Sequence, residues 1–333
     1  MDNRTLHPRR GPHNPLRTPS TRLPGSVRRT ATLDTLRPEG LTGPLHLRGA
    51  ARDLVTDADG NGTVSGRAAL TAEVDFMGGR TMTALRSDPD ESRLRGLVGT
   101  QTWRGFRSTL ADVVPDHVRS ASLLHLMLDD VPVAALVSGH AMISAGVRPS
   151  PAGHRYRPTS DLCSGWRTGG TIMVEIDRSG FPPNVVGPQA PSLLSASDAL
   201  AWHDLPGLPP HSMRRSRCLD LQRDGSDLLL ESHFRDSHVD ADGFEEVVHE
   251  YRVSVWVDSV TLTVLEVATT AHVLPFVECP PATGSGDRLV GVPVAELRAH
   301  VRQNLKGIGT CTHLNDQYRS LADLPALLSQ LPE

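Results

Sequence analysis

The chain has 333 residues, of which 38% are hydrophobic, and a formal net charge of -4. That length supports two ordinary domains with cores of their own, and the excess of acid argues against a general nucleic-acid binder, because neutralising phosphates needs a surplus of basic side chains. Four cysteines at positions 163, 218, 279 and 311 are too few and too widely spaced for a secreted disulfide framework, so they read as reduced thiols.

Residues 1–25 carry five arginines (Arg4, Arg9, Arg10, Arg17 and Arg22) and five prolines but lack the apolar core of a secretory signal, which predicts a disordered basic arm. No run approaches the roughly 20 consecutive apolar residues that span a bilayer, so neither a membrane nor a nucleic acid is expected as partner, and a cytoplasmic location follows by default. Lys306 is the single lysine, leaving one candidate for Schiff-base chemistry.

Two segments repeat. Ser26-Val-Arg-Arg-Thr-Ala-Thr-Leu-Asp34 returns as Ser212-Met-Arg-Arg-Ser-Arg-Cys-Leu-Asp220, an offset of 186, and Arg52-Asp53 with Asp57-Ala-Asp-Gly60 returns as Arg235-Asp236 with Asp240-Ala-Asp-Gly243, an offset of 183. Leu123-Leu-His-Leu126 falls where Cys311-Thr-His-Leu314 stands in the second half, aligning His125 with His313. These offsets predict two diverged tandem copies, 26–145 and 212–333, joined by a Pro/Gly-rich connection over 146–211.

Each copy reads as an antiparallel meander followed by helices packed on one face, an α+β plan. Alternation over Glu246–Asp258 sets Val248, Glu250, Arg252 and Ser254 opposite His249, Tyr251, Val253 and Val255, and the Asp-Gly pairs at 59–60 and 242–243 read as hairpin turns. Helical spacing appears over Phe106–Val114, Leu123–Leu136, Val292–Leu305 and about Thr312–Leu328. In the connection, Thr171–Ile176 reads as a strand and Ser195–Trp202 as a short helix. Asp57-x-Asp59-x-Asn61 opens like a calcium loop, but Ala68 stands where the bidentate glutamate belongs, so a hairpin turn is the better reading.

Candidate chemistry gathers in the second copy. Cys311 sits at a predicted helix start, where free backbone N–H groups favour a thiolate, and His313 is two residues along. Cys279 follows the last strand at a strand-to-helix corner. With His313, and Asp236 or His249 as fourth ligand, the two cysteines match the donor types zinc accepts, although the spacing is not that of a zinc finger. A structural role competes for the arginine–aspartate pairs: Arg28-Arg29 and Arg214-Arg215 are placed to meet Asp53 and Asp236. Cys218 reads as core, and Cys163 as a residue of the connection without a sequence neighbour.

The second copy resembles a bacterial family known as domain of unknown function 2889, on Cys311-Thr-His-Leu314, Cys279 after the last strand, Asp236, and His249-Glu-Tyr251, over about residues 212–325. The whole chain looks like the longer actinobacterial form, with Asp129-Asp-Val-Pro-Val133 and Ser212-Met-Arg-Arg215. The family brings no established reaction. A weaker likeness in shape is to the NifU-type iron–sulfur scaffold, with Cys279 and Cys311 as counterparts of two of its three cysteines.

The expectation from these residues is an enzyme acting on a small organic acid or acyl compound, with Cys311, His313 and His249 catalytic and zinc held by Cys279, Cys311, His313 and Asp236. Without a metal, Cys311 would act as thiolate with His313 as base. The competing expectation is a non-catalytic metal or sulfur carrier.

Overall fold

The computed structural model describes residues 6–17, 20–147 and 159–332. Eight antiparallel strands form one sheet: β1 (Ser26–Leu36), β2 (Leu45–Thr56), β3 (Gly62–Asp75) and β4 (Thr81–Asp88), then β5 (Met213–Asp224), β6 (Asp227–Val239), β7 (Glu245–Val257) and β8 (Val264–Val273). The spatial order is β4-β3-β2-β1-β5-β6-β7-β8, so two four-stranded meanders meet along the β1–β5 seam, where Ala31 faces Arg217 and Leu33 faces Arg215. The hairpin turns fall at the expected Asp-Gly pairs, because Gly60 and Gly243 take φ of 87° and 82°, which a Cβ would disfavour.

Helices follow each meander. The first is capped by α1 (Phe106–Val113), α2 (Pro115–Arg119), α3 (Leu123–Val137) and α4 (Gly139–Ser144), and α5 (Thr171–Ser179) follows in the connection. After β8 come α6 (Leu297–Asn304), α7 (Thr312–Ser320) and α8 (Leu324–Leu328). The sheet and helices together make an α+β fold. The helix expected over 312–328 is interrupted by a 3-10 turn at Leu321–Asp323 before α8, which carries Pro325 in its first turn.

The segment Leu123–Ser144 is long and apolar enough to cross a membrane, but its most apolar stretch is 67% buried. Ser122 starts α3 by accepting from the His125 N–H at 3.1 Å, and Leu124, Leu128 and Val131 then pack into the core over the first meander. A second core, built on Leu219, Leu230, Tyr251 and Val253, lies under α6, α7 and α8.

Between the two cores runs a buried ionic layer. Arg215 donates to Asp236 (3.0 and 2.9 Å), Asp130 (3.3 Å) and Asp316 (3.1 Å), while Arg217 donates twice to Asp130 at 2.6 Å. Arg107 reaches Asp316 at 2.9 Å, and Arg319 reaches Asp129. Phe234 lies beneath both Arg215 and Arg217, 5.0 and 5.1 Å from its ring centre. The same device recurs in the first meander, where Arg29 donates to Asp53 (2.8 and 2.7 Å) and Asp323 (2.8 Å).

On the other face the central strands are covered by chain. Residues of the connection lie across β1 and β5: Ala201 O accepts from Arg28, His203 lies between Thr30 and Thr32 at 2.8 and 3.0 Å, and Trp202 packs beside Cys218. The expected strand at Thr171–Ile176 is the helix α5, since Ile172 and Ile176 repeat at helical spacing and Gly180 ends it at φ 83°. The expected helix at Ser195–Trp202 does not form. There Ser195 and Asp198 accept from the Ser197 and Leu200 N–H groups, which competes with helical bonding.

The expected disorder of the N-terminal arm is corrected over the residues described. Arg9 pairs with Glu278 at 2.8 Å, His13 bridges Val273, Leu16 N–H donates to Glu250 at 2.8 Å, and Arg22 grips Asp198. Arg9 and Arg22 find carboxylates far along the chain, which sequence composition does not reveal. Residues 1–5, 18–19 and 148–158 of the arm and connection lie outside the described residues.

A buried arginine whose removal strands two carboxylates costs far more than an exposed pair. Arg29→Ala is therefore expected to lower unfolding free energy by about 3–5 kcal/mol, whereas Arg178→Ala, which breaks the surface pair with Glu175, leaves the urea midpoint unchanged. Equal midpoints for the two variants would contradict the structural role of the layer.

Candidate metal centre at the edge of the ionic layer

Asp236, His249 and His313 each offer a ligand atom within 4.8 Å of the other two. The pairing register sets Asp236 of β6 directly opposite His249 of β7. His313 comes from the first turn of α7, which is docked one turn later when Gln317 donates to the Ser232 carbonyl and hydroxyl, both at 3.0 Å. The imidazoles of His249 and His313 stack with centres 3.8 Å apart and planes 18° apart.

The surroundings hold these groups in ligating form. Both oxygens of Asp236 accept from Arg215, which fixes the carboxylate plane. Arg215 is shared with Asp130 and Asp316, so its charge is not spent on Asp236 alone. Burial pushes His313 down to about 3, helped by the positive charges of Arg215 and Arg217. Burial likewise holds His249 well below the ordinary histidine range, with His313 beside it. Both rings are thus neutral at pH 7. The Nε2 atom of His313 is buried without a protein hydrogen-bond partner, 3.7 Å from Asp236 Oδ2, too far for a hydrogen bond. Its Nδ1 faces Cys311 Sγ at 3.8 Å.

The cysteines stand apart from this group. Cys311 precedes α7 as expected but makes no capping bond through its side chain, and it is buried within the second core beside Tyr251. Desolvation pushes its thiol up to about 11, against the helix-start effect that favours a thiolate. Cys279 lies at the expected corner after β8, and burial raises its thiol further. Cys163, expected elsewhere, joins them: Ser164 donates to the carbonyls of Thr310 and Glu278 at 2.8 and 2.7 Å, and Cys163 is an electrostatic neighbour of both other thiols. Cys218 is in the core on the opposite face, beside Leu193 and Trp202. Of the residues singled out in the sequence, the structure therefore brings together Asp236, His249 and His313, and sets Cys279 and Cys311 behind them. Among the described residues no cysteine belongs to a group of three close ligand atoms.

Sequence alternation missed one feature of β7. Asp236 faces His249 but Ser237 faces Val247, so Val248 is an extra residue, a bulge that turns Glu246 onto the same face as His249. Strict alternation sets those two residues on opposite faces. With His140 of α4 and His238 of β6, Glu246 forms a second group of ligand atoms within 4.8 Å. His238 shares the parity of Asp236 on β6, and that was the legible signal.

A thiol at about 11 holds about two hundredfold less thiolate at pH 8 than a free cysteine near 8.5. Even after the greater nucleophilicity of a more basic thiolate is allowed for, alkylation of native Cys311 by iodoacetamide is expected to run at least about tenfold slower than that of free cysteine. Peptide mass spectrometry after timed labelling reads this, and labelling at the free-cysteine rate would restore the thiolate reading.

No curated protein and no solved structure matches the chain. Residues 212–326, the stretch from β5 into α8 that holds Asp236, His249 and His313, match the family model described as protein of unknown function (DUF2889).

Proposed function

We propose that the chain is a zinc-dependent enzyme acting on a small organic acid or acyl compound, with the metal held by Asp236, His249 and His313. The observation that carries this is the donor set: two imidazoles and one carboxylate within 4.8 Å of one another. Structural zinc sites close with four protein ligands, whereas catalytic sites keep three and leave a position for water or substrate. His249 and His313 are partly buried, and among the described residues this group has three ligand atoms, which leaves a fourth position without a protein ligand.

Zinc bound there would polarise a carbonyl or lower the pKa of a water molecule. The protein's own part is positional. Arg215 orients the Asp236 carboxylate, and with His313 Nε2 turned to the metal, Nδ1–H would donate toward Cys311 Sγ, fixing the tautomer. Cys311 thereby becomes a positioning residue, and His249 a ligand instead of a base. The small-molecule substrate, a cytoplasmic location and descent of the two meanders from a duplicated unit belong to the same reading. The duplication is supported by the Arg29–Asp53 and Arg215–Asp236 pairs and by bulges that follow the aspartate in both meanders.

A second reading, a metal or sulfur carrier like the iron–sulfur scaffold, is favoured by one observation: Cys163 joins Cys279 and Cys311, and such a scaffold uses three cysteines. Iron retention and visible absorption after anaerobic reconstitution separate it from the zinc reading.

The enzyme reading expects hydrolysis of short-chain p-nitrophenyl esters that is lost on chelation, restored by zinc and absent in His313→Ala. An inactive zinc-loaded chain across such esters would contradict it. Because both imidazoles are already neutral, zinc affinity should change less than about twofold between pH 8 and pH 6, whereas two ordinary histidines near 6.5 would cost about sixteenfold. Titration calorimetry at the two pH values distinguishes these outcomes.

A further inference from the structure

The bulge at Val248 has a consequence beyond the first centre. Two residues along β6 and three back along β7, His238 and Glu246 face each other, and His140 comes down on them from α4. His238 Nδ1 lies 3.0 Å and His140 Nε2 lies 3.8 Å from the same oxygen, Glu246 Oε1. The two imidazole rings meet edge to face, 4.7 Å between centres and 81° between planes.

Two features mark this as a built site. The other oxygen, Oε2, accepts the Gly187 N–H at 3.0 Å, which holds the carboxylate with Oε1 toward the histidines. Position 187 takes only glycine, since a Cβ there would lie 1.9 Å from the Val247 carbonyl oxygen. Further, the Nε2 atoms of His140 and His238 are both buried without a protein hydrogen-bond partner, and His238 is fully buried. A buried polar atom left in that state costs about 1–3 kcal/mol and calls for a ligand.

We infer that His140, His238 and Glu246 bind a second divalent cation of the zinc class, distinct from the one proposed at Asp236, His249 and His313. Two imidazoles and a carboxylate are again the donors that zinc takes. The ligands have a different origin, because His140 lies outside residues 212–326. The cation would tie α4, which follows the first meander, to β6 and β7 of the second. The inference stands without the first centre, since no ligand is shared.

Zinc bound per chain, measured by elemental analysis after exhaustive dialysis, tests it. The unsubstituted chain should hold two equivalents, His140→Ala one, His313→Ala one, and the double variant none. Zinc should also raise the melting temperature of His313→Ala but not of the double variant. If His140→Ala fails to fold, Glu246→Gln, which keeps size and a hydrogen-bonding oxygen, is read in its place. An unchanged zinc count in the folded variant overturns the inference, as does loss of all zinc from both single variants, which would mean one shared ion. A loss of one equivalent in His140→Ala with none in His313→Ala upholds this site while removing the first.

Discussion

The guanidinium of Arg215 is the point on which the two halves of the molecule depend. It is 1% exposed, and its three carboxylate partners arrive from three elements: Asp236 from β6, Asp130 from α3 and Asp316 from α7. A charge so buried persists only if every partner is in place, so the contact sets where α3 and α7 sit on the sheet. Apolar packing alone would not do this. Helix α3 is buried on almost every side, and a helix without a distinct apolar stripe can slide or rotate on a sheet at modest cost. Asp129 and Asp130 in its middle remove that freedom.

The same contact shapes the candidate chemistry. Asp236 is held by Arg215 in a fixed plane, α7 brings His313 to it, and the hydrogen bonds from Gln317 to Ser232 hold that helix down. Burial, helped by the two arginines beside His313, then opposes its protonation and leaves a neutral imidazole. Structural charge and ligand geometry are therefore one arrangement. For this reason Asp236→Asn is a poor probe of the metal, since it weakens the ionic layer together with the ligand set, whereas His313→Ala leaves the layer whole.

Much of this was legible in the residues. Of the paired arginines, Arg29 and Arg215 meet Asp53 and Asp236 as expected while Arg28 and Arg214 turn to Asp220 and Asp34, the Asp-Gly turns placed the hairpins, and apolar spacing found α1 and α3. What failed did so for physical reasons. One bulged residue, Val248, reverses the side-chain parity of β7 and hid Glu246 from any reading by alternation. Cys311 was correctly set at a helix start, but the depth of its burial depends on Tyr251 and the surrounding core, which adjacent residues do not encode. The arm looked disordered because its arginines have no partners nearby in sequence. Arg9 and Arg22 have them across the fold, at Glu278 and Asp198.

The central claim is that histidine and carboxylate, not thiolate, hold the metal on the helical face of β6 and β7. X-ray absorption at the zinc edge of the metal-loaded chain tests it most directly. The account predicts a first shell of nitrogen and oxygen at about 2.0–2.2 Å with imidazole scattering beyond it, and no sulfur. A shell containing sulfur at about 2.3 Å would place the metal on Cys279 or Cys311 and contradict it.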